Sequence, residues 1–309
     1  MKKVAVLFPG QGAQFLGMGK EFYETEEVAK NIFDLSSKEL NYSVSNLCFQ
    51  EENKLNQTLF TQPSIVATSI AIYESFRAIT KIMPDYVLGF SLGEYSALYA
   101  SGVFDVQSTI SLVNKRAIWM DEQSKVIPGG MIAIIGANKD EVNQLCQKVS
   151  TSQNHVSIAN YNSPSQIVVS GDEQSLKKLQ IELQSIQTKR ILRLNVSGAF
   201  HTSFMKEPAK RIQNEVINST WKAPNIPIIM NCDAKELESS TLPLKLKQQI
   251  EGPIYFEDSI RYLMKQGVDL FIEIGPGQVL SGLIKKIDLS LKTISISVPN
   301  DIKKWEEFQ

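Results

Sequence analysis

The stretch VLGFSLGEYSAL, residues 87–98, sets a serine between two glycines where an apolar run passes into a helix-like run. A strand that turns sharply into a helix strains the central residue of the turn, and only small neighbours two positions away on either side keep the backbone from clashing. Gly89-Phe90-Ser91-Leu92-Gly93 fits such an elbow. Its hydroxyl stands at a helix N-terminus, where unpaired N–H groups and the helix dipole favour negative charge on an attached oxyanion. A serine that merely caps a helix would leave the same string. The strand predicted before it and the helix predicted after it favour a nucleophile.

Outward from the elbow the pattern alternates strand and helix. Residues 4–8 form a continuous apolar run ended by Pro9 and Gly10, which suits a buried strand entering a loop. Pro63 precedes SIVATSIAIYESF, whose apolar residues recur at helical spacing, so the proline is expected near the helix start, where its missing N–H costs nothing. Residues 86–89 read as a second buried strand, 92–101 as a helix ended by Gly102, and 106–120 as an amphipathic helix. Such alternation implies a parallel sheet.

After Pro128, Gly129 and Gly130 the rhythm changes. Strands at 131–136, 155–160, 166–171 and 190–196 enclose helices at 139–149 and 175–186, with a turn at 162–164. The order βαββαβ is ferredoxin-like. From residue 203 the α/β pattern resumes: a helix at 203–219, a strand at 226–231, a helix at 258–265, the strand LFIEIG (270–275), a GPG turn and the helix QVLSGLIKKI. The expected fold is α/β: a hydrolase-like large domain with a parallel sheet core, residues 1–127 and 198–309, interrupted by a ferredoxin-like insert, residues 128–197. A cleft between the two is the default place for a site.

Composition narrows the function. The chain has 309 residues, enough to bury a sizeable core. With 32 basic and 33 acidic residues its net charge is −1, which gives no global attraction to nucleic acid or an anionic membrane. Cys48, Cys146 and Cys232 lie far apart without CxxC spacing, so neither a disulfide framework nor a zinc site is suggested and no metal is expected; they read as small core residues in a reducing compartment. The apolar run after Lys2 and Lys3 is too short for a signal segment or a membrane span, and the protein is read as cytoplasmic. GQG at 10–12 and GMGK at 17–20 complete neither GxGxxG nor GxxxxGK[ST], so phosphate loops of those types are rejected.

A nucleophilic serine needs a base, and histidine suits because its pKa lies near neutrality. The sequence holds His155 and His201. His155 opens a strand of the insert, where a core or edge position is expected. His201, in the glycine-containing loop SGAFHTSFM before a helix, is the chosen base. No carboxylate that would orient its imidazole stands out.

LFPGQGAQFLGMG near the N-terminus, GFSLGEYSAL at the elbow, NKR ending in Arg116, NYNSPSQIVVSG in the insert, GAFH at His201 and FIEIGPGQVLSGL near the end occur in this order. Together, over about residues 3–297, they resemble the malonyl-CoA:acyl carrier protein transacylases of type II fatty acid synthesis. The resemblance implies that Ser91 attacks a thioester carbonyl with His201 as base and then acid. It implies an oxyanion hole from the backbone N–H groups of Gln11 and Leu92, a carboxylate grip by Arg116, and a carbonyl near Gln249 orienting the imidazole in place of an aspartate. Phe90, Asn160 and Phe200 would line the pocket. Phe90 departs from the family, where histidine is common, and Phe200 resembles the bulky residue of malonyl-selective relatives, which would crowd an α-methyl branch.

The implied substrate is malonyl-CoA, with no cofactor, and the implied partner an acyl carrier protein. No nucleic acid or membrane partner is expected, and the protein is read as a monomer. Lys206, Lys210 and Arg211 are candidates for a basic patch toward an acidic carrier. A serine hydrolase or thioesterase on the same elbow, and a non-catalytic acyl-binding protein, are the rival readings. On sequence alone an arginine on an amphipathic helix is an ordinary solvated residue, and only the family pattern lifts Arg116.

Overall fold

A computed structural model describes residues 3–307. Its centre is a parallel sheet of β1 (Lys3–Phe8), β2 (Tyr86–Gly89), β7 (Ile228–Ile229), β8 (Val268–Ile274) and β9 (Lys292–Ile296), in the order β7-β2-β1-β8-β9. The middle strand β1 reads as an unbroken apolar run because both sheet faces are covered. Val4, Val6 and Phe8 face one core and Ala5 and Leu7 the other, the two-residue alternation of a strand.

The second sheet joins β3 (Gly129–Ile135), β4 (Val156–Ser163), β5 (Gln166–Asp172) and β6 (Arg190–Arg193), antiparallel throughout, in the order β4-β5-β3-β6. With helices Lys139–Val149 and Glu173–Glu182 after β3 and β5, this is the ferredoxin-like arrangement read from the sequence. Ile132 and Ile134 of β3 pack toward those helices. Met131 and Ala133 of the same strand pack against the core of the large body, so the second face of the small sheet helps to wall the cleft.

The structure corrects several boundaries. Pro63 is not near a helix start: the helix runs Thr58–Thr80, and the ring sits at its sixth residue, where it removes a bond to the Leu59 carbonyl. That helix tolerates the loss because it is walled on most sides by helices Glu27–Leu40, Gly93–Ala100 and Val106–Val126. The helix expected at 106–120 extends to Val126. β4 continues through Asn162 and Ser163, so the hairpin turn is at 164–165 rather than 162–164. The strand read at 226–231 pairs only over Ile228–Ile229. Short helices between Lys20 and Leu55, helix Leu242–Glu251 and strand β9 went unread in the sequence. Cys48 and Cys146 are buried, but Cys232 is only partly so; all are free thiols.

Candidate active site

In an open parallel sheet, polar groups gather where strands end, because the chain leaves the core there and backbone groups lose their ladder partners. Gln11 follows β1, Ser91 follows β2 and Asn231 follows β7, so the carboxyl ends of neighbouring strands converge. Ser91 adopts a left-handed φ of 50°. The glycines around it are required by close approach. A Cβ on Gly89 would lie 1.9 Å from the Gly93 carbonyl carbon, and one on Gly93 would lie 2.0 Å from the Phe8 carbonyl oxygen. Helix Gly93–Ala100 starts directly beyond the turn.

Ser91 Oγ lies 2.7 Å from His201 Nε2. His201 is buried and also left-handed, with φ 61°, so both members of the pair sit on strained backbone. Its Nδ1 is 2.7 Å from the Gln249 carbonyl oxygen. A carbonyl only accepts, so Nδ1 carries the proton and Nε2 is left to accept from the serine hydroxyl. The Gln249 carbonyl is available for a reason visible in the chain: it lies in the last turn of helix Leu242–Glu251, and the residue that would donate to it, Pro253, has no N–H. Burial, and secondarily the positive charge of Arg116, hold the His201 pKa down to about 4, against a weaker upward pull from the Gln249 carbonyl. The imidazole is therefore neutral at pH 7, the form that can take a proton.

Arg116 is only 2% exposed, contrary to the default for an amphipathic helix. Its Nη1 donates to Gln62 Oε1 at 2.6 Å and its Nη2 to Ser91 Oγ at 3.4 Å, and the guanidinium lies 5.4 Å from the centroid of the Tyr95 ring. Among the described residues it forms no ion pair, and its Nε has no hydrogen-bond partner. Buried charges are normally paired, so a cation without a carboxylate marks a place for an anion from outside. Gln62 passes the contact on: its Nε2 faces Gln11 Oε1 at 3.4 Å, and Gln11 Nε2 donates to Thr58 at 3.2 Å.

Gln11, Gln62, Ser91, Arg116 and His201 line a cleft of about 160 Å³. Phe90, Leu92, Asn160 and Phe200 line it too, so every expected pocket residue is present, with Met131 and Val168 from the small sheet opposite. Phe90 stands edge-on to Phe256, ring centroids 5.4 Å apart. Among the described residues the backbone N–H groups of Gln11 and Leu92 have no protein partner. The Ser91 N–H, by contrast, donates to Asn231 Oδ1 at 2.6 Å. Asn231, Glu94 and Gln62 were not read from the sequence. A polar residue closing the apolar run IPIIMN was a usable signal for Asn231.

His155 is not part of this site; its ring stacks on Phe204 and its Nε2 lies 2.8 Å from Ser203 Oγ. Of the basic-patch candidates, Arg211 is engaged by Glu122 at 2.7 Å and stacks on Trp119, whereas Lys206 and Lys210 are exposed. Among the described residues no group of three or more side chains is arranged to hold a metal, and no helix is long and apolar enough to cross a membrane.

The acyl transferase domain family matches this chain over residues 6–295. The malonyl CoA-acyl carrier protein transacylase of Bacillus subtilis is 40% identical over 305 residues, covering 98% of this chain and 96% of its own. The chain belongs to the malonyl CoA-acyl carrier protein transacylase family. The crystal structure of MCAT from Streptococcus pneumoniae superposes with a TM-score of 0.94 at 37% identity, covering 99% of this chain and 100% of that one. A malonyl-transacylase solved in complex with its type II PKS acyl-carrier protein has a TM-score of 0.95 at 31% identity, over 99% and 100% of the two chains. As a transacylase of this family the chain is an acyltransferase, and the resemblance read from its sequence blocks holds over nearly its full length.

Proposed function

We propose that this transacylase moves a malonyl group from coenzyme A to the phosphopantetheine thiol of an acyl carrier protein by two half-reactions through a malonyl ester on Ser91. In the first, His201 Nε2 takes the hydroxyl proton as Ser91 Oγ adds to the thioester carbonyl. The developing oxyanion is met by the N–H groups of Gln11 and Leu92. Collapse breaks the C–S bond, and the imidazolium returns its proton to the departing CoA sulfur. In the second half-reaction the carrier's thiol gives its proton to His201 and attacks the ester, and Ser91 leaves with that proton restored. Arg116 holds the malonyl carboxylate throughout, by paired charge-assisted hydrogen bonds that a lysine cannot reproduce.

The observation that carries this reading is the buried Arg116, without a carboxylate partner among the described residues, beside a serine that is hydrogen-bonded to a neutral histidine. A hydrolase of uncharged acyl groups has no use for that cation. The carrier protein as partner is supported by the structural likeness to a transacylase captured with one. We read residues 1–127 and 198–309 as one domain and 128–197 as its insert, acting as a cytoplasmic monomer.

The test is intact-protein mass spectrometry after brief exposure to malonyl-CoA, followed by holo carrier protein. A malonyl adduct on Ser91 that persists in buffer and disappears with the acceptor is expected. Decay in buffer alone would favour hydrolysis over transfer, and no adduct at all would refute the malonyl ester on Ser91.

A further inference from the structure

Gln249 contributes more than its backbone carbonyl. Its side chain is fully buried, and its Nε2 donates to the Ser91 carbonyl oxygen at 2.6 Å. That oxygen belongs to the same peptide unit as the Leu92 N–H. In a trans peptide the C=O and N–H bonds point in opposite directions across one rigid plane. A donor that fixes the Ser91 oxygen therefore also fixes the line along which the Leu92 hydrogen points. The first-turn contact from the Glu94 N–H to the same oxygen is longer, at 3.1 Å, so the side-chain amide is the closer of the two restraints.

The two preceding peptides are held in a similar way. Asn231 Oδ1 accepts the Ser91 N–H, and its Nδ2 donates to the Gly89 carbonyl, both at 2.6 Å. The Asn231 N–H in turn donates to buried Glu94 at 2.6 Å. The Ser91 N–H is thereby spent, which leaves Leu92 as the elbow's free donor. Gln249 Oε1 is buried without a partner among the described residues. Leaving half a buried amide unpaired costs roughly 1–3 kcal/mol, so the side chain is a poor choice for filling space alone.

We propose that the Gln249 side chain is a positioning residue of the oxyanion hole, aiming the Leu92 N–H into the cleft while its own backbone carbonyl orients His201. One residue thus sets both the donor that stabilises the intermediate and the base that creates it. This rests on Ser91 being acylated, as set out above.

The test uses Gln249→Leu and Gln249→Glu in the full chain, since both keep the backbone carbonyl bonded to His201. Ser91 acylation is followed in parallel with malonyl-CoA, by rapid quench and mass spectrometry, and with p-nitrophenyl acetate, by release of nitrophenolate. Removing an oxyanion donor outright costs about 10²–10³-fold; misaiming one that the helix still partly holds should slow Q249L by about tenfold or more with both reagents. The KM for malonyl-CoA should stay within about threefold, since no substrate contact is lost. The glutamate variant can donate only when protonated, so its rate relative to the parent should recover as pH falls from about 8 to 5, a range in which His201 stays neutral.

Acylation of Q249L within about twofold of the parent overturns the proposal, as does a Q249E deficit that is the same at every pH. The acetate arm keeps the two readings apart. A parent acylated by the ester but not by malonyl-CoA would defeat the malonyl reading, and the role of Gln249 would still be decided.

Discussion

Replacing Arg116 by alanine separates a carboxylate grip from a merely structural cation. The guanidinium spends one N–H on Gln62 and faces Ser91 Oγ with another at 3.4 Å, a long contact that a ligand oxygen can displace. Two parallel charge-assisted bonds to a malonyl carboxylate are worth about 3–6 kcal/mol at roughly 1.5–3 kcal/mol each. At about 1.4 kcal/mol per tenfold, kcat/KM for malonyl-CoA should fall by roughly 10²–10⁴-fold. Acetyl-CoA carries no carboxylate, and its kcat/KM should fall by no more than about tenfold. Arg116→Lys keeps charge without the planar fork and should lie between the two. The assay is transfer to holo carrier protein from each thioester, with thermal denaturation to show that the variant folds. Equal losses for malonyl and acetyl would mean that Arg116 holds the serine rather than the substrate, and the reasoning would be wrong.

Protonation of His201 gives a second expectation. Its folded pKa of about 4 lies below the ordinary histidine value of about 6.5, so the folded state favours the neutral ring. Stability from this group is fully present above pH 6.5 and lost as pH falls toward 4, up to about 3 kcal/mol, and urea unfolding of His201→Gln should lack that part of the slope. The acid limb of kcat/KM should accordingly lie nearer pH 4 than 6.5, and a midpoint above about pH 6 would contradict the burial argument. Gly93→Ala drives a Cβ to 2.0 Å from the Phe8 carbonyl oxygen, and should cost about 3 kcal/mol or more in chemical denaturation or prevent folding; a variant as stable as the parent would show that the elbow can relax. Phe200, buried at the cleft beside His201, should exclude an α-methyl branch. Phe200→Ser should raise methylmalonyl-CoA relative to malonyl-CoA by about tenfold, one bulky contact being worth roughly 1–3 kcal/mol, and comparable kcat/KM for the two in the parent would refute it.

What could be read from the sequence was what short-range sterics dictate. Two glycines flanking Ser91 have few explanations other than close backbone approach, and the structure places carbonyl groups of Gly93 and Phe8 where their side chains would be. The ferredoxin-like insert was legible because Pro128, Gly129 and Gly130 break the pattern and short apolar runs then alternate with helical segments in the order βαββαβ; that Ile132 and Ile134 face one way and Met131 and Ala133 the other is visible only in the structure. Arg116 was not legible from its own helix. Its burial is made by the helix Thr58–Thr80 that brings Gln62 to it and by Tyr95 from the elbow helix, partners 54 and 21 positions away. Helix Leu242–Glu251 was missed because its sequence, LPLKLKQQIE, buries only a narrow stripe of Leu242, Leu246, Gln249 and Ile250. Only with that helix in place does Pro253, four residues after Gln249, account for a carbonyl with no helical donor.

That carbonyl stands behind His201 where, among the described residues, no aspartate does. A carboxylate there would be a fixed anion close to buried Arg116, and the two would attract strongly away from bulk water. Arg116 would then be paired before any substrate arrived, and the carboxylate grip proposed for it would face an internal competitor. A neutral carbonyl fixes the tautomer of the imidazole just as well and leaves the cation unclaimed. The carboxyl group closest in sequence to the elbow obeys the same constraint: burial pushes Glu94 up to about 8, outweighing the Asn231 N–H and Arg116, which both pull it down. Burial thus works against a fixed negative charge at this position. Among the described residues the cleft is lined by one cation, Arg116, and by no carboxylate, which is the arrangement the proposed substrate, bringing its own carboxylate, would complete.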